Sequence, residues 1–284
     1  MASTRSRSAP KKTSGFRRFL GWFFGLSAAA LLCGIFLCVF IFSLIYRQLP
    51  PIDTLTDYRP KVPLRVWSAD GKLIGEFGEE RRDFVHLKDI PEHVKFAILA
   101  AEDDGFYEHH GVEITGILRA AVMNVLLGRR AQGGSTITQQ VARNFFLTTD
   151  RTYTRKLYEI AMSFKIEQEL TKDEILEIYL NQIYLGQRAY GFSSAARTYF
   201  GRPLSEISIG EAATLAGLPV APSAYNPIVN PSRATMRKNY VLRRMYDLGY
   251  IDEVTYLAEK AQPMQTRRVA SAEETLRDNV SSDR

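Results

Sequence analysis

Cysteine is almost missing from this 284-residue chain: there are two, Cys33 and Cys38, and both lie inside one long apolar run. The remainder can therefore carry neither a disulfide framework nor a cysteine metal site, and whatever folds there must be held by its core. Charge is missing over one stretch, Phe19 to Tyr46, whose 28 residues include no Asp, Glu, Lys, Arg or His. A helix of roughly 20 residues crosses the hydrocarbon layer of a bilayer, so this run is long enough. Acid is missing ahead of it, where six cations stand alone (Arg5, Arg7, Lys11, Lys12, Arg17 and Arg18). The net charge of +6 and pI near 9.2 thus belong mostly to the tail, and the near balance of the rest argues against a nucleic-acid partner. A cleavage signal is lacking too. Tyr46-Arg47-Gln48-Leu49-Pro50-Pro51 follows the run, where a signal peptide would end in small residues. The run reads as a retained anchor. Its flanking cations place the N-terminus in the cytoplasm and everything after Arg47 on the far side of the membrane.

What is there divides in order. Residues 1–18, rich in Ser, Arg and Lys, read as a disordered basic tail, and residues 19–46 as the transmembrane helix. Residues 47–90 form a connector with Pro50, Pro51, Pro60 and Pro63, leading into two alternating runs, Leu64–Ser68 and Leu73–Phe77, around Asp70-Gly71, the pattern of a β-hairpin. Phe84-Val85-His86-Leu87 reads as a further short strand. Residues 91–261 are helical almost throughout, with helices expected over Ile114–Leu127, Thr136–Phe146, Thr152–Leu170 and Arg233–Leu248. Capping boxes begin at Thr171 and Ser208, each with Glu three residues on. Residues 262–284 are polar and aperiodic, a linker or the start of a further domain. The fold class is mainly α.

Three clusters could carry chemistry. In the first, Pro91 opens a helix whose apolar face is Val94, Ala97, Ile98 and Ala101. It ends in Glu102-Asp103-Asp104-Gly105-Phe106-Tyr107-Glu108-His109-His110-Gly111. A carboxyl at a helix C-terminus, beside other acids, is held toward its protonated form, which suits Glu102 as a general base; a solvated polar helix end fits the same residues. Asp103, His109 and Gly111 would hold the turn. His109-His110 does not read as a metal site, because adjacent histidines point apart on a helix and no Glu-x-x-His accompanies them.

The second cluster is Gly133-Gly134-Ser135-Thr136-Ile137-Thr138-Gln139-Gln140-Val141-Ala142-Arg143-Asn144. Glycines leading into a helix suit an anion, although no Gly-Lys-Ser/Thr makes it a P-loop. Ile137, Val141 and Phe145 form one face; Thr136, Gln140, Arg143 and Asn144 form a polar one. The third cluster is Arg155-Lys156-Leu157-Tyr158-Glu159, with Leu157, Ile160, Ala161 and Phe164 expected toward the core and Arg155 and Glu159 opposite. Either this is an exposed pair worth roughly 0.2–0.5 kcal/mol, or it is a second carboxylate beside two cations able to take the charge of a phosphorylated leaving group.

Together the clusters resemble a family. Glu102-Asp103-x-x-Phe106-x-x-His109-x-Gly111, Gly133–Gln140, Arg155-Lys156-x-x-Glu159, Ile175-Leu176-Glu177-x-Tyr179-Leu180-Asn181 through Gly186, and Arg237 to Met245 are similar, in this order, to the signatures of the family 51 peptidoglycan glycosyltransferases. The anchor and the Ser-Ala-Asp-Gly-Lys hairpin resemble class A penicillin-binding proteins of the Gram-negative type. Those carry a transpeptidase domain after the glycosyltransferase. Its set of Ser-x-x-Lys, Ser-x-Asn and Lys-Thr/Ser-Gly motifs is not assembled in this chain, which ends about where that domain would begin, and no transpeptidase activity is expected of it.

The resemblance implies a lysozyme-like glycosyltransferase fold with a small membrane-facing lobe. It implies a bacterial inner-membrane enzyme, single-pass, with the domain over 91–261 in the periplasm. It also implies a reaction in which lipid II attacks an undecaprenyl-diphosphate-linked glycan through its GlcNAc 4-hydroxyl, inverting donor C1. Glu102 would be the base. Glu159 would assist the leaving group, with a divalent cation such as Mg2+ or Mn2+ as a possible helper. Arg155 and Lys156 would balance the diphosphate, and Ser135, Thr136, Gln140, Arg143 and Asn144 would line the donor site. Asp103, Phe106 and His109 are grouped with the substrate-binding residues of the first signature. Cell-wall synthesis proteins are the expected partners. The rival readings are a lysozyme-like enzyme that cleaves glycan and a non-catalytic scaffold.

Overall fold

The computed structural model describes residues 14–56, 64–70, 73–77, 81–116, 134–147 and 153–267. Most of the helix expected over Ile114–Leu127 falls outside them, as do Gly71 and Gly133. The chain divides into two units, Met1–Leu49 and Pro50–Arg284. The first is built on α1 (Ser14–Arg47), which by length and composition is apolar enough to cross a membrane.

The second unit is mainly helical. A short turn of helix, α2 (Asp53–Thr56), precedes β1 (Leu64–Trp67) and β2 (Leu73–Phe77), which pair antiparallel with an irregular register at Val66/Trp67. The helices that follow are α3 (Glu92–Glu102), α4 (Ile137–Phe146), α5 (Tyr153–Glu169), α6 (Lys172–Gln182), α7 (Phe192–Phe200), α8 (Ile209–Ala216), α9 (Pro231–Asp247) and α10 (Glu253–Ala261). Both capping boxes form in full: Thr171 and Glu174 exchange bonds at the start of α6, and Ser208 and Glu211 at the start of α8. Local sequence signals therefore fix where these helices begin.

Packing makes two helical groups. In one, α3 lies against α8 and α9, and α9 carries α10; Val94, Ala97 and Ile98 of α3 are fully buried there with Ala212, Ala213 and Leu215 of α8. In the other, α4 packs on α5 and α6, burying Ile137, Val141, Met162, Ile166 and Leu176. The C-terminal end of α3 and the N-terminal end of α4 meet between the groups, and the site lies there.

The strand expected over Phe84–Leu87 does not form. The two-residue strand β3 is Arg81–Arg82, paired parallel with β4 (Ala189–Tyr190), and a 3-10 turn follows at Leu87–Asp89. Side chains of α6 take the hydrogen bonds a neighbouring strand would have made. The Val85 N–H donates to Asn181 Oδ1 (2.9 Å), Asn181 Nδ2 donates back to the Val85 carbonyl (2.9 Å), and the Leu87 N–H donates to Glu177 Oε2 (2.6 Å).

Candidate active site

A cleft of about 410 Å3 opens between α3, α4 and α9. Glu102 lines it at the last residue of α3, where the chain turns through Asp103. The residue as a whole keeps some exposed surface, but its Oε1 has essentially none and meets no hydrogen-bond partner among the described residues. Oε2 accepts from Gln140 Nε2 at 2.7 Å. Burial pushes the carboxyl above its ordinary range. The Gln140 bond, then Arg237 and Arg143, pull it back, and Asp103 adds an upward push smaller than any of these. The expected direction is therefore present with a different main cause: desolvation outweighs like-charged neighbours.

Asp103 explains why the first two clusters occur together. Its carboxylate is buried and accepts from His109 Nε2 (3.0 Å) and from the backbone N–H of Ile137 (2.9 Å), the first residue of α4. Thr136 caps α4 by accepting from the Gln139 N–H, and its hydroxyl donates to the Gly111 carbonyl at 2.6 Å. One cluster's acids and glycine thus hold the other's helix N-terminus, and the anion that α4 attracts is the protein's own Asp103.

Gly111 has to be glycine. Its φ is +82°, and a Cβ there would stand 3.0 Å from the Ser163 carbonyl carbon and oxygen on α5. A left-handed conformation costs a non-glycine residue roughly 1–2 kcal/mol, and the contact with fixed backbone adds to it. Gly111→Ala is expected to lose at least about 2 kcal/mol, read as a lowered chemical-denaturation midpoint at unchanged slope.

The grouping of the first signature needs correction. Phe106 is fully buried and does not line the cleft. It packs against the Tyr107 and His109 rings with the Lys172 ammonium 4.5 Å from its centroid. His109 likewise faces Asp103 rather than the cleft. Both support the turn, because an aromatic ring and a carboxylate-bonded imidazole fill the space under it.

The α4 polar face reaches the cleft through Ser135, Thr136, Gln140 and Arg143, whereas Asn144 is exposed and outside it. On α5 the expected core face holds at Ala161, which is fully buried, but not at its N-terminal end. Leu157 is 45% exposed and Glu159 only 1%, because the face toward α4 runs through Glu159, Met162 and Ile166. The buried carboxylate is tolerated since Lys156 pairs with it directly. Lys156 Nζ also donates to Ser135 Oγ (2.9 Å) and Gln139 Oε1 (3.0 Å). Lys156 therefore touches the cleft's edge through Ser135, whereas neither it nor Glu159 nor the half-buried Arg155 is among the lining residues.

The lining residues of α9 have no site role assigned from sequence: Arg237, Tyr240 and Arg244. They recur at i, i+3 and i+7, and that basic and aromatic stripe on one helical face was the available signal. Arg244 donates to Asp104 Oδ2 (2.7 Å) and to the Ala100 carbonyl (3.4 Å), tying α9 to the end of α3. The Arg237 guanidinium lies 4.5 Å from the Tyr240 ring centroid.

Residues 70–246 match the family model described as transglycosylase. Among curated proteins, penicillin-binding protein 1A of Neisseria flavescens is 52% identical over 227 residues, covering 80% of this chain and 28% of that protein. Penicillin-binding protein 1A of Pseudomonas aeruginosa is 47% identical over 249 residues, covering 87% and 30%. The chain spans less than a third of the length of these relatives. The crystal structure of penicillin-binding protein 1A from Haemophilus influenzae aligns with a TM-score of 0.45 at 29% identity, over 79% of this chain and 25% of that one.

Proposed function

The chain belongs to the transglycosylase family, and from that membership we propose that it is a peptidoglycan glycosyltransferase acting at the bacterial inner membrane. The donor is a glycan on undecaprenyl diphosphate, and the acceptor is lipid II. The observation that carries the reading is one carboxyl, Glu102, buried in a cleft that also holds Arg143 and Arg237, with Lys156 bonded to its lining residue Ser135. A base and an anion site in one cavity suit transfer from a diphosphate.

In this reading Glu102 Oε2, oriented by Gln140, takes the proton of the acceptor 4-hydroxyl. The acceptor oxygen bonds to donor C1 as the bond from C1 to the diphosphate oxygen breaks, and the electron pair leaves on the diphosphate. Attack opposite the leaving group inverts C1. The departing charge is met by Lys156, itself held by Ser135, Gln139 and Glu159, with Arg155 adding to the local field. Ser135, Thr136, Gln140 and Arg143 contact the sugars and diphosphate; Asn144 acts from the rim.

A divalent cation held by the protein does not fit at Glu159. Its Oε1 is taken by Lys156, and no three His, Cys, Asp or Glu side chains converge among the described residues. Glu159 is assigned instead to fixing the Lys156 ammonium, and no step is routed through a metal.

The lysozyme-like arrangement with a membrane-facing lobe, the cytoplasmic tail and the periplasmic placement of the domain belong to the same proposal. The apolar α1 and the cations before it support the tail and domain placement, and the family membership supports the arrangement. A tethered enzyme meets lipid substrates in two dimensions, and cell-wall synthesis proteins are natural partners at that surface.

The purified 284-residue chain incubated with lipid II in detergent is expected to yield glycan polymer on a gel, with release of undecaprenyl diphosphate. Shortening of preformed strands without polymer would establish a hydrolase instead; neither product would leave a scaffold.

A further inference from the structure

Among the buried polar atoms that lack hydrogen-bond partners in the described residues are Glu102 Oε1, Tyr179 Oη and Arg237 Nε. Tyr179 lies on α6, which packs against α4. Its side chain is 1% exposed and lines no part of the cleft. The groups acting on its hydroxyl are those of the site. Burial raises the phenol well above its ordinary pKa, the Glu102 charge raises it further, Arg143 lowers it, and Asp103 raises it again. The phenol is therefore a neutral O–H at every working pH, an unpartnered donor on the helix packed against α4, whose Gln140 already bonds the same carboxylate. Buried polar groups left without protein partners are commonly joined by ordered water, provided the surroundings are polar. Here Glu102 Oε1 and Tyr179 Oη, one an acceptor and one a donor, share one charged neighbourhood.

We propose that Tyr179 is a positioning residue for Glu102: its hydroxyl, through one buried water, supplies the hydrogen bond that holds Oε1 inward and leaves Oε2 presented to the acceptor. This rests on the reading of Glu102 as the base. The other charged groups facing that carboxyl are Arg143 from α4, Arg237 from α9 and Asp103 beside it, while Asp104 is paired with Arg244. None of them changes when the Tyr179 oxygen is removed.

The test titrates the carboxyl itself. In the 284-residue chain labelled with 13C at the glutamate side-chain carboxyl, the Glu102 resonance is assigned by its loss in Glu102→Gln. Tyr179→Phe keeps the ring and removes one donor to the charged form, so the Glu102 midpoint is expected to rise by roughly half to one pH unit. Replacing Tyr179 by 3-fluorotyrosine strengthens the donor, and the midpoint is expected to fall. A role in packing alone would move neither. An unchanged midpoint in both variants, or a shift of the same sign in both, overturns the proposal. If Tyr179→Phe does not fold, the fluorotyrosine chain decides by itself, and an unmoved or raised midpoint overturns it. Because the readout is a titration, opposite shifts in a chain that fails to polymerise lipid II would uphold the coupling and sink the glycosyltransferase reading.

Discussion

Glu102→Gln is expected to lower lipid II polymerisation by about 10²–10⁴-fold, the usual contribution of a positioned general base, while making the chain harder to unfold. Both effects come from the same burial. Gln keeps an oxygen for the Gln140 Nε2–H that now reaches Oε2, so the local geometry can survive, but it cannot take a proton. The sign of the stability change follows from linkage. The folded-state pKa of Glu102 lies above its ordinary 4.5 because burial disfavours the anion. Between 4.5 and that raised value the folded chain holds a proton that the unfolded chain has lost, so stability falls as pH rises across the window. Above the folded pKa the whole deficit is present. The melting temperature of Glu102→Gln is therefore expected above wild type at neutral pH, by about 2–4 °C for each kcal/mol of relieved desolvation, and the gap should close as pH drops below 4.5. Activity of the wild type runs the other way, rising with pH through the raised pKa as the base deprotonates. A Glu102→Gln chain that polymerises lipid II at the wild-type rate would remove Glu102 from the mechanism.

Lys156→Ala is expected to damage both stability and activity, and a second variant separates the two. The Glu159 side chain is 1% exposed and its ammonium partner 38%. Removing the lysine leaves a buried carboxylate uncompensated, which costs roughly 3–5 kcal/mol in a fully enclosed pair. Water reaches the lysine end here, so about 2 kcal/mol is the expected loss by chemical denaturation. Ser135 and Gln139 lose their donor in the same step. Polymerisation is expected to fall by about 10²–10³-fold, as when one preorganised charge-stabilising donor is deleted. In Lys156→Met with Glu159→Gln, the buried charge goes together with its partner. Replacing a buried pair by neutral groups of similar size is often near neutral for stability, so the double variant should refold to near wild-type stability yet remain inactive. Recovery of activity along with stability would show that the lysine acts only by neutralising Glu159, and that the diphosphate is met by other cations of the cleft.

Much of the architecture was legible because its signals are local. The starts of α6 and α8 are set by side chains three residues apart that bond each other's backbone. The long uncharged run from Phe19 to Tyr46 needs no fold to be read as a helix able to cross a membrane. The order of the signatures was enough to indicate the family. What failed locally failed for a tertiary reason. Phe84–Leu87 has the composition of a strand, but Asn181 and Glu177 take its backbone bonds, and nothing near residue 84 in the chain encodes that. Leu157 points outward and Glu159 inward because α5 turns toward α4, so that hydrophobicity within the helix was the weaker guide.

The sequence by itself determined which groups are present: one carboxyl at a helix end, a capped helix behind glycines, a lysine three residues before a glutamate, and a basic stripe on α9. Tertiary structure alone decided what each of them does. Glu102 has a raised pKa because α3, α4 and α9 close around it, since desolvation depends on what surrounds a charge rather than on what adjoins it in the chain. Asp103 serves the fold because it meets α4, 34 residues on, and His109 because it bonds Asp103. Arg237, Tyr240 and Arg244 belong to the cleft because α9 packs on α3 across a long separation in sequence. Local periodicity fixes a helix and its faces, but which face meets a charge is settled only when the helices pack.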